Sequence, residues 1–121
     1  MTTTAINPFT ADERQLHDRL ANGETVVLNM RRGVHNHLWK WTHSVGLCVR
    51  IDRKSIWGNP FILDEDGDRA QVVNAYSDFY LPHKPQLLDQ VAMLQGKALG
   101  CWCSPEPCHG DVLAALARVM S

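Results

Sequence analysis

The chain has 121 residues, 45% hydrophobic and 21% charged, with a formal net charge of −1 at pH 7. That length predicts one domain able to bury its own core without disulfide or metal staples, and the near-neutral balance excludes a global basic field for nucleic acid. No apolar run approaches the roughly 18 residues of a membrane span, and Met1–Ala5 lacks the basic start and apolar core of a signal peptide, so a cytoplasmic protein with reduced thiols and no membrane partner is expected.

Residues 1–9 read as a loose lead-in, and residues 10–121 as a single domain. Thr10-Ala11-Asp12-Glu13 fits a capping box, with Thr10 as N-cap and Glu13 reaching back. Leu16 and Leu20 then share one helix face, and Asn22-Gly23 ends the helix. Thr25–Met30 is a short β-branched and apolar run, read as a buried strand. Arg31, Arg32 and Gly33 follow at its C-terminal end, the edge where open α/β sheets take ligands.

His35, His37, Trp39, Trp41 and His43 share one parity. An extended chain would place them on one face; a bare loop is the alternative. The stretch reads either as a base-stacking or metal-binding surface, or as an excursion that tucks two tryptophans onto the core. Val45, Leu47, Val49 and Ile51 then alternate with Gly46, Cys48, Arg50 and Asp52, the period of a half-buried strand.

Trp57-Gly58-Asn59-Pro60-Phe61 marks a rigid turn, with Gly permitting positive φ and Pro fixing its own. Such a turn either presents the Trp57 ring and Asn59 amide to a ligand or anchors itself through a packed tryptophan. Asp64–Asp68 looks like a calcium loop but fails the test, because the twelfth position is Ala75 rather than a bidentate Glu; it reads as a polar turn before a helix. Val72, Val73, Tyr76 and Tyr80 mark that helix. Pro85 opens the next one, whose stripe is Leu87, Leu88, Val91 and Leu94.

The last strand, Lys97–Trp102, runs into Cys103-Ser104-Pro105-Glu106-Pro107-Cys108-His109-Gly110-Asp111. Val112, Leu113, Leu116, Ala117 and Met120 then pattern a helix. The expected fold is a single small α/β domain, with a short, mostly parallel sheet of 3–4 strands flanked by about four helices. Its topology is expected to bring Arg31 and Arg32 to the cysteine joint.

Three readings fit that joint. Cys101, Cys103, Cys108 and His109 have the identities of a Cys₃His zinc site, although the spacing matches no finger or ribbon. Alternatively the joint is a ligand or catalytic pocket. There Cys103 or Cys108 is the nucleophile polarised by His109, Asp111 or Glu106 is the acid–base partner, and free N–H groups of residues 108–110 with Arg31 and Arg32 hold a phosphate. In the third reading the cysteines are small buried residues and His109 caps a helix.

Leu28–Arg31, Ile51–Phe61 and Leu94–Asp111 together resemble the bacterial and phage family called domain of unknown function 4326. Its signatures are the Trp-Gly-Asn-Pro-Phe turn and the Cys-Trp-Cys…Cys-His-Gly-Asp joint. The resemblance covers roughly Val26 to the C-terminus, with 35–43 looking like an insertion. It implies a small α/β protein, often found in phage genomes, with no established activity. It also singles out Arg53, Trp57, Asn59, Cys103, Cys108, His109 and Asp111, which lie in the signatures.

The leading expectation is a pocket built from the Trp57–Phe61 turn, Arg31, Arg32, Arg53 and the Cys103–Asp111 joint, binding a nucleotide-like or phosphorylated small molecule, with or without covalent chemistry on it. One alternative is a zinc-stabilised module that binds a host protein. A weaker alternative is single-stranded nucleic-acid binding through Trp39 and Trp41 with Arg31, Arg32 and Lys40.

Overall fold

The computed structural model describes residues 7–104 and 106–121. Most of the expected lead-in, residues 1–6, and Pro105 lie outside the described residues. The elements run α1 (Ala11–Ala21), β1 (Val26–Asn29), α2 (Asn36–Ser44), β2 (Cys48–Arg50), α3 (Arg69–Ala75), α4 (Pro85–Leu88), β3 (Ala98–Cys101) and α5 (His109–Met120). A π-helical turn over Tyr76–Tyr80 and a 3₁₀ turn over Leu81–His83 continue α3, and a 3₁₀ turn over Val91–Leu94 follows α4.

The three strands are parallel in the order β1-β3-β2. The central strand, Ala98–Cys101, is buried at every position, as a parallel strand covered on both faces must be. Strand alternation separates two cores. Val26, Leu28 and Ala98 face Leu20 and Leu38 of α1 and α2, while Leu99 and Cys101 face Tyr76, Val91, Leu113 and Ala117 on the opposite side. The result is a three-layer α/β/α sandwich.

Both expected helix starts before the sheet's helical layers are present. Thr10 accepts from the Glu13 N–H at 3.1 Å, and the Glu13 carboxylate returns to the Thr10 N–H at 3.0 Å. Asp68 and Gln71 make the same reciprocal box at α3. Asn22 caps the end of α1, and Gly23 takes a φ of 85°, a left-handed conformation that glycine adopts without strain.

Residues 36–44 form a helix, not an extended strip or a bare loop. Helical spacing therefore spreads the His and Trp residues around the axis instead of along one face. His35 is buried, whereas His37 and His43 are exposed. Trp39 lies against Gly100, and Trp41 packs edge-on to His17 and Phe9. Both rings are half-buried and packed against the core.

The strand expected over 45–51 shortens to Cys48–Arg50. Val45 instead caps the end of α2 and is exposed. The long helix expected over 87–94 is broken into α4 and a 3₁₀ turn, but Leu87, Val91 and Leu94 are buried as the stripe requires. Among the described residues, no helix is long and apolar enough to cross a membrane.

Candidate functional site

The chain leaves β1 toward the α2 face and leaves β3 toward the α5 face. Adjacent parallel strands that diverge in this way open a crevice at their C-terminal ends, where such sheets commonly bind ligands. Here Asn29 fills that crevice. Its amide Nδ2 donates to the Ser104 carbonyl at 2.7 Å, and its Oδ1 accepts from the Arg31 N–H at 2.8 Å. This closure explains why Arg31 and Arg32, both exposed, do not meet the cysteine joint as the topology alone suggested.

The cavity lies instead beside the ends of β2 and β3. Its volume is about 220 Å³, and its lining includes Asp52, Arg53, Asn59, Arg69, Trp102 and His109 together with Cys101, Cys103 and Cys108. A larger cleft, of about 450 Å³, opens at the edge of β1 between α1 and α5. Size would favour that cleft, but it contains no cysteine and its histidine is fully engaged. His35 Nδ1 accepts from the Asn29 N–H at 2.9 Å, and Nε2–H donates to Asp12 at 2.6 Å. Asp111 borders this larger cleft, not the cysteine cavity.

The smaller cavity gathers three thiols. Cys101 and Cys108 are buried with their Sγ atoms 3.3 Å apart, and Cys103 is half-buried. Hydrogen bonding from the Cys101 and Cys108 thiols, together with the Arg69 guanidinium, holds the Cys103 thiol far below its ordinary pKa. Cys108 is raised, first because its S–H serves Cys101 and Cys103 and then because it is buried. Cys101 is also raised, mainly through its bond to Cys103. These directions favour the thiolate form at Cys103, the half-buried member that lines the cavity.

Cys108 is the N-cap of α5. Its Sγ accepts from the Gly110 N–H at 3.1 Å, and its own N–H donates to Asp111 Oδ2 at 3.0 Å. The helix end is thus capped from within, and the N–H groups of residues 108 and 110 are not the open anion cradle expected from the sequence. Asp111 braces the cap instead of serving as an acid–base group in the cavity. Glu106, the other expected acid–base partner, is exposed.

His109 donates from Nε2 to the Ile51 carbonyl at 2.6 Å and meets the Tyr76 ring edge-on. This bond fixes the neutral tautomer with the proton on Nε2. Burial is the main cause lowering the His109 pKa, which favours that neutral form. Among the described residues, no group of three or more His, Cys, Asp or Glu side chains is arranged to hold a metal ion.

The Trp-Gly-Asn-Pro-Phe turn forms one wall. Trp57 is buried in the core, and the Tyr76 hydroxyl donates to its carbonyl at 2.7 Å. The Asn59 amide donates to the Val72 carbonyl at 3.0 Å and accepts from the Phe61 N–H at 3.0 Å. Both side chains hold the turn, and Asn59 also lines the cavity. Arg53 braces the same turn, donating to the carbonyls of Asn59 and Phe61 at 3.2 and 3.1 Å. Arg69, which the sequence did not single out, reaches from α3 to the Pro107 carbonyl at 3.3 Å and completes the basic side of the cavity.

Asp52 joins the end of β2 to the exposed Trp102 indole. Arg50 grips its carboxylate through two bonds, at 2.8 and 2.7 Å, and Trp102 Nε1 donates to it at 3.0 Å. Arg50 is the main cause holding the Asp52 pKa below its ordinary value, against the opposing effect of burial. A carboxylate lowered in the folded state adds stability above its unfolded pKa, about 3.9, and loses it as pH falls through the folded value. Asp52→Asn is therefore expected to melt earlier than the wild type at pH 7, with the two melting temperatures converging below about pH 4. A constant gap across that range, in melts followed by tryptophan fluorescence, would show that the carboxylate charge is not what holds Trp102.

Comparison with known proteins finds a relative but no structural match. The chain is similar to an uncharacterized 12.4 kDa protein in the nrdA-td intergenic region of Enterobacteria phage T4, being 35% identical over 73 residues, 58% of this chain and 67% of the relative. No solved structure matches it. The family model for a domain of unknown function, DUF4326, matches residues 34–119. That span includes α2 and the His/Trp-rich stretch, as well as the turn and the cysteine joint. With most of its length inside that match, the chain belongs to the DUF4326 family.

Proposed function

We propose that the cavity between the Trp57–Phe61 turn and the cysteine joint binds a small phosphorylated or nucleotide-like molecule, with Cys103 as the nucleophile facing it. One observation carries this reading. Cys103, Arg53, Arg69, neutral His109 and the exposed Trp102 ring border a single cavity at the C-terminal ends of parallel strands. The two guanidiniums suit an anion, because their planar forks match phosphate oxygens. Trp102 suits an aromatic ring by stacking.

Size narrows the choice. At about 220 Å³ the cavity is smaller than typical drug-sized sites, roughly 300–1,000 Å³. A single base, a nucleoside or a small phosphorylated molecule suits it better than a dinucleotide. The four free cysteines fit a reduced compartment such as the cytoplasm.

Thermal unfolding with a panel of free bases, nucleosides, nucleoside monophosphates and sugar phosphates tests the proposal. A bound member at 100 times its Kd stabilises by about 2.7 kcal/mol, a rise of at least about 5 °C for a domain of this size. Arg69→Ala should weaken the phosphate-bearing members by about tenfold or more, the worth of one charge-assisted hydrogen bond, and leave free bases unaffected. A panel without a shift, in protein whose Cys103 reacts with alkylating agents no faster when ligands are absent than when they are present, would refute it.

A further inference from the structure

The three sulfurs have a chemistry that needs no nucleotide. Cys101 and Cys108 are 1% and 2% exposed, and their Sγ atoms are 3.3 Å apart. A disulfide bond is about 2.05 Å long with a Cβ separation near 3.8 Å, so closing this gap calls for side-chain adjustment on the scale of an ångström. Both partners sit on fixed backbone: Cys101 is paired in the sheet with Asn29, and Cys108 is held by the capping box of α5.

Neither of these thiols is open to solvent, but Cys103 is half-buried and borders the cavity. It lines the same cavity as both. The cluster therefore has one entrance and two interior sulfurs. Cys48, the remaining thiol, is on β2 outside the cluster.

We propose that Cys103, Cys108 and Cys101 form a thiol relay that reduces a hydroperoxide and comes to rest as a Cys101–Cys108 disulfide. In the first step the Cys103 thiolate attacks the distal peroxide oxygen. The O–O bond breaks, the alkoxide takes a proton to leave as an alcohol (water, for hydrogen peroxide), and Cys103 becomes a sulfenic acid. In the second, the Cys108 sulfur attacks the Cys103 sulfur, the S–O bond breaks and water leaves, giving a Cys103–Cys108 disulfide. In the third, Cys101 attacks the Cys108 sulfur and expels Cys103 as thiolate. The sum is two thiols and one hydroperoxide giving one disulfide, one alcohol and one water.

The geometry assigns the roles. The attacking thiol must be reachable, and Cys103 alone of the three is. The final pair must be shielded to resist further exchange, and Cys101 and Cys108 are the two buried members, already in contact. Arg69 lines the same cavity as Cys103 and supplies positive charge there to stabilise the oxygen that leaves with negative charge.

The test uses the reduced full-length chain with a chelator, no nucleotide, and stoichiometric hydrogen peroxide. Free thiols are counted over time, and linkages are mapped by mass spectrometry of a non-reducing digest. Free thiols are expected to fall from the four present to those of Cys48 and Cys103, with Cys101 and Cys108 in one linked peptide. Cys103→Ser should slow thiol loss by about tenfold or more, since the interior thiols lose their entry point. Cys101→Ser, which leaves the entrance intact, should stop at a Cys103–Cys108 linkage and keeps the test open if Cys103→Ser fails to fold.

Three results would overturn the relay. One is Cys103 driven to sulfinic acid while Cys101 and Cys108 remain thiols. Another is oxidation of Cys103→Ser at the wild-type rate. The third is no thiol loss at all. Because no nucleotide is present, these outcomes are separate from success or failure of the ligand panel.

Discussion

Replacing Glu13 by alanine is expected to cost about 2–4 kcal/mol: about 1.5–3 for the charge-assisted bond to the buried Leu38 N–H, and less for the bond at the exposed Thr10 cap. Glu13 is 1% exposed although it belongs to a capping box, a motif usually found at the surface. Its second oxygen explains the burial. Oε1 accepts from the Thr10 N–H, while Oε2 accepts from the Leu38 N–H at 2.7 Å. Leu38 is at the third position of α2, whose N-cap, His35, supplies no side-chain cap bond. One carboxylate thus caps two helices and locks them together over one face of the sheet.

Removing it leaves the Leu38 N–H buried without its acceptor, and an orphaned donor costs more than a bond simply not made. Against a typical total of roughly 5–15 kcal/mol, that loss should lower the melting temperature by about 10 °C or more. Glu13→Gln keeps one amide oxygen and should cost less. Urea unfolding of both variants decides the matter: a loss under about 0.5 kcal/mol for Glu13→Ala, the range of ordinary surface changes, would mean that α2 is capped in some other way.

How legible all this was in the sequence depended on the range of the interaction. The Thr10–Glu13 box, the Asn22-Gly23 stop, the polar start at Asp68 and the buried stripe through Val91 and Leu94 are local patterns, and each was readable within a few residues. The parallel sheet followed from the alternation of helical and strand periods. The second role of Glu13 joins residues 25 apart, and no local pattern announces it. The same holds for Arg69, which meets the cysteine joint 38 residues downstream. Arg31 and Arg32 failed as pocket residues because Asn29, read only as part of a strand, reaches over 75 residues to seal the crevice beside them. The helix at 36–44 was missed because histidines and tryptophans on alternate positions mimic strand parity. Burial of Leu38 and Thr42, four apart, is the helical signal that ran beneath it.

Gly58→Ala is expected to cost about 3 kcal/mol or more, the upper end of what overpacking costs, and to abolish any ligand-induced shift in melting. The turn's glycine suggested a positive φ, but Gly58 is not among the residues with one. Its reason is space. A Cβ there would stand 2.6 Å from the Arg53 Cα and 2.8 Å from the Asp52 carbonyl oxygen, both backbone atoms that cannot rotate away. Accommodating it means moving the whole Trp57–Phe61 turn off the segment after β2. That shift would draw Trp57 from the core, break the Arg53 bonds to Asn59 and Phe61, and displace the wall opposite Cys103.

Gly46→Ala is the matching control. Gly46 has a φ of 73° and nothing within 4 Å of its would-be Cβ, so its cost is conformational alone, about 1–2 kcal/mol. If Gly58→Ala unfolds in denaturant at the same midpoint as Gly46→Ala, the turn yields easily and is not a rigid wall. If it is the more costly by the expected margin while still folded at low temperature, close backbone contact accounts for the glycine of the family signature. Cys103 would then share its cavity with a wall whose position is set by core packing, which is the preorganisation that binding a small ligand requires.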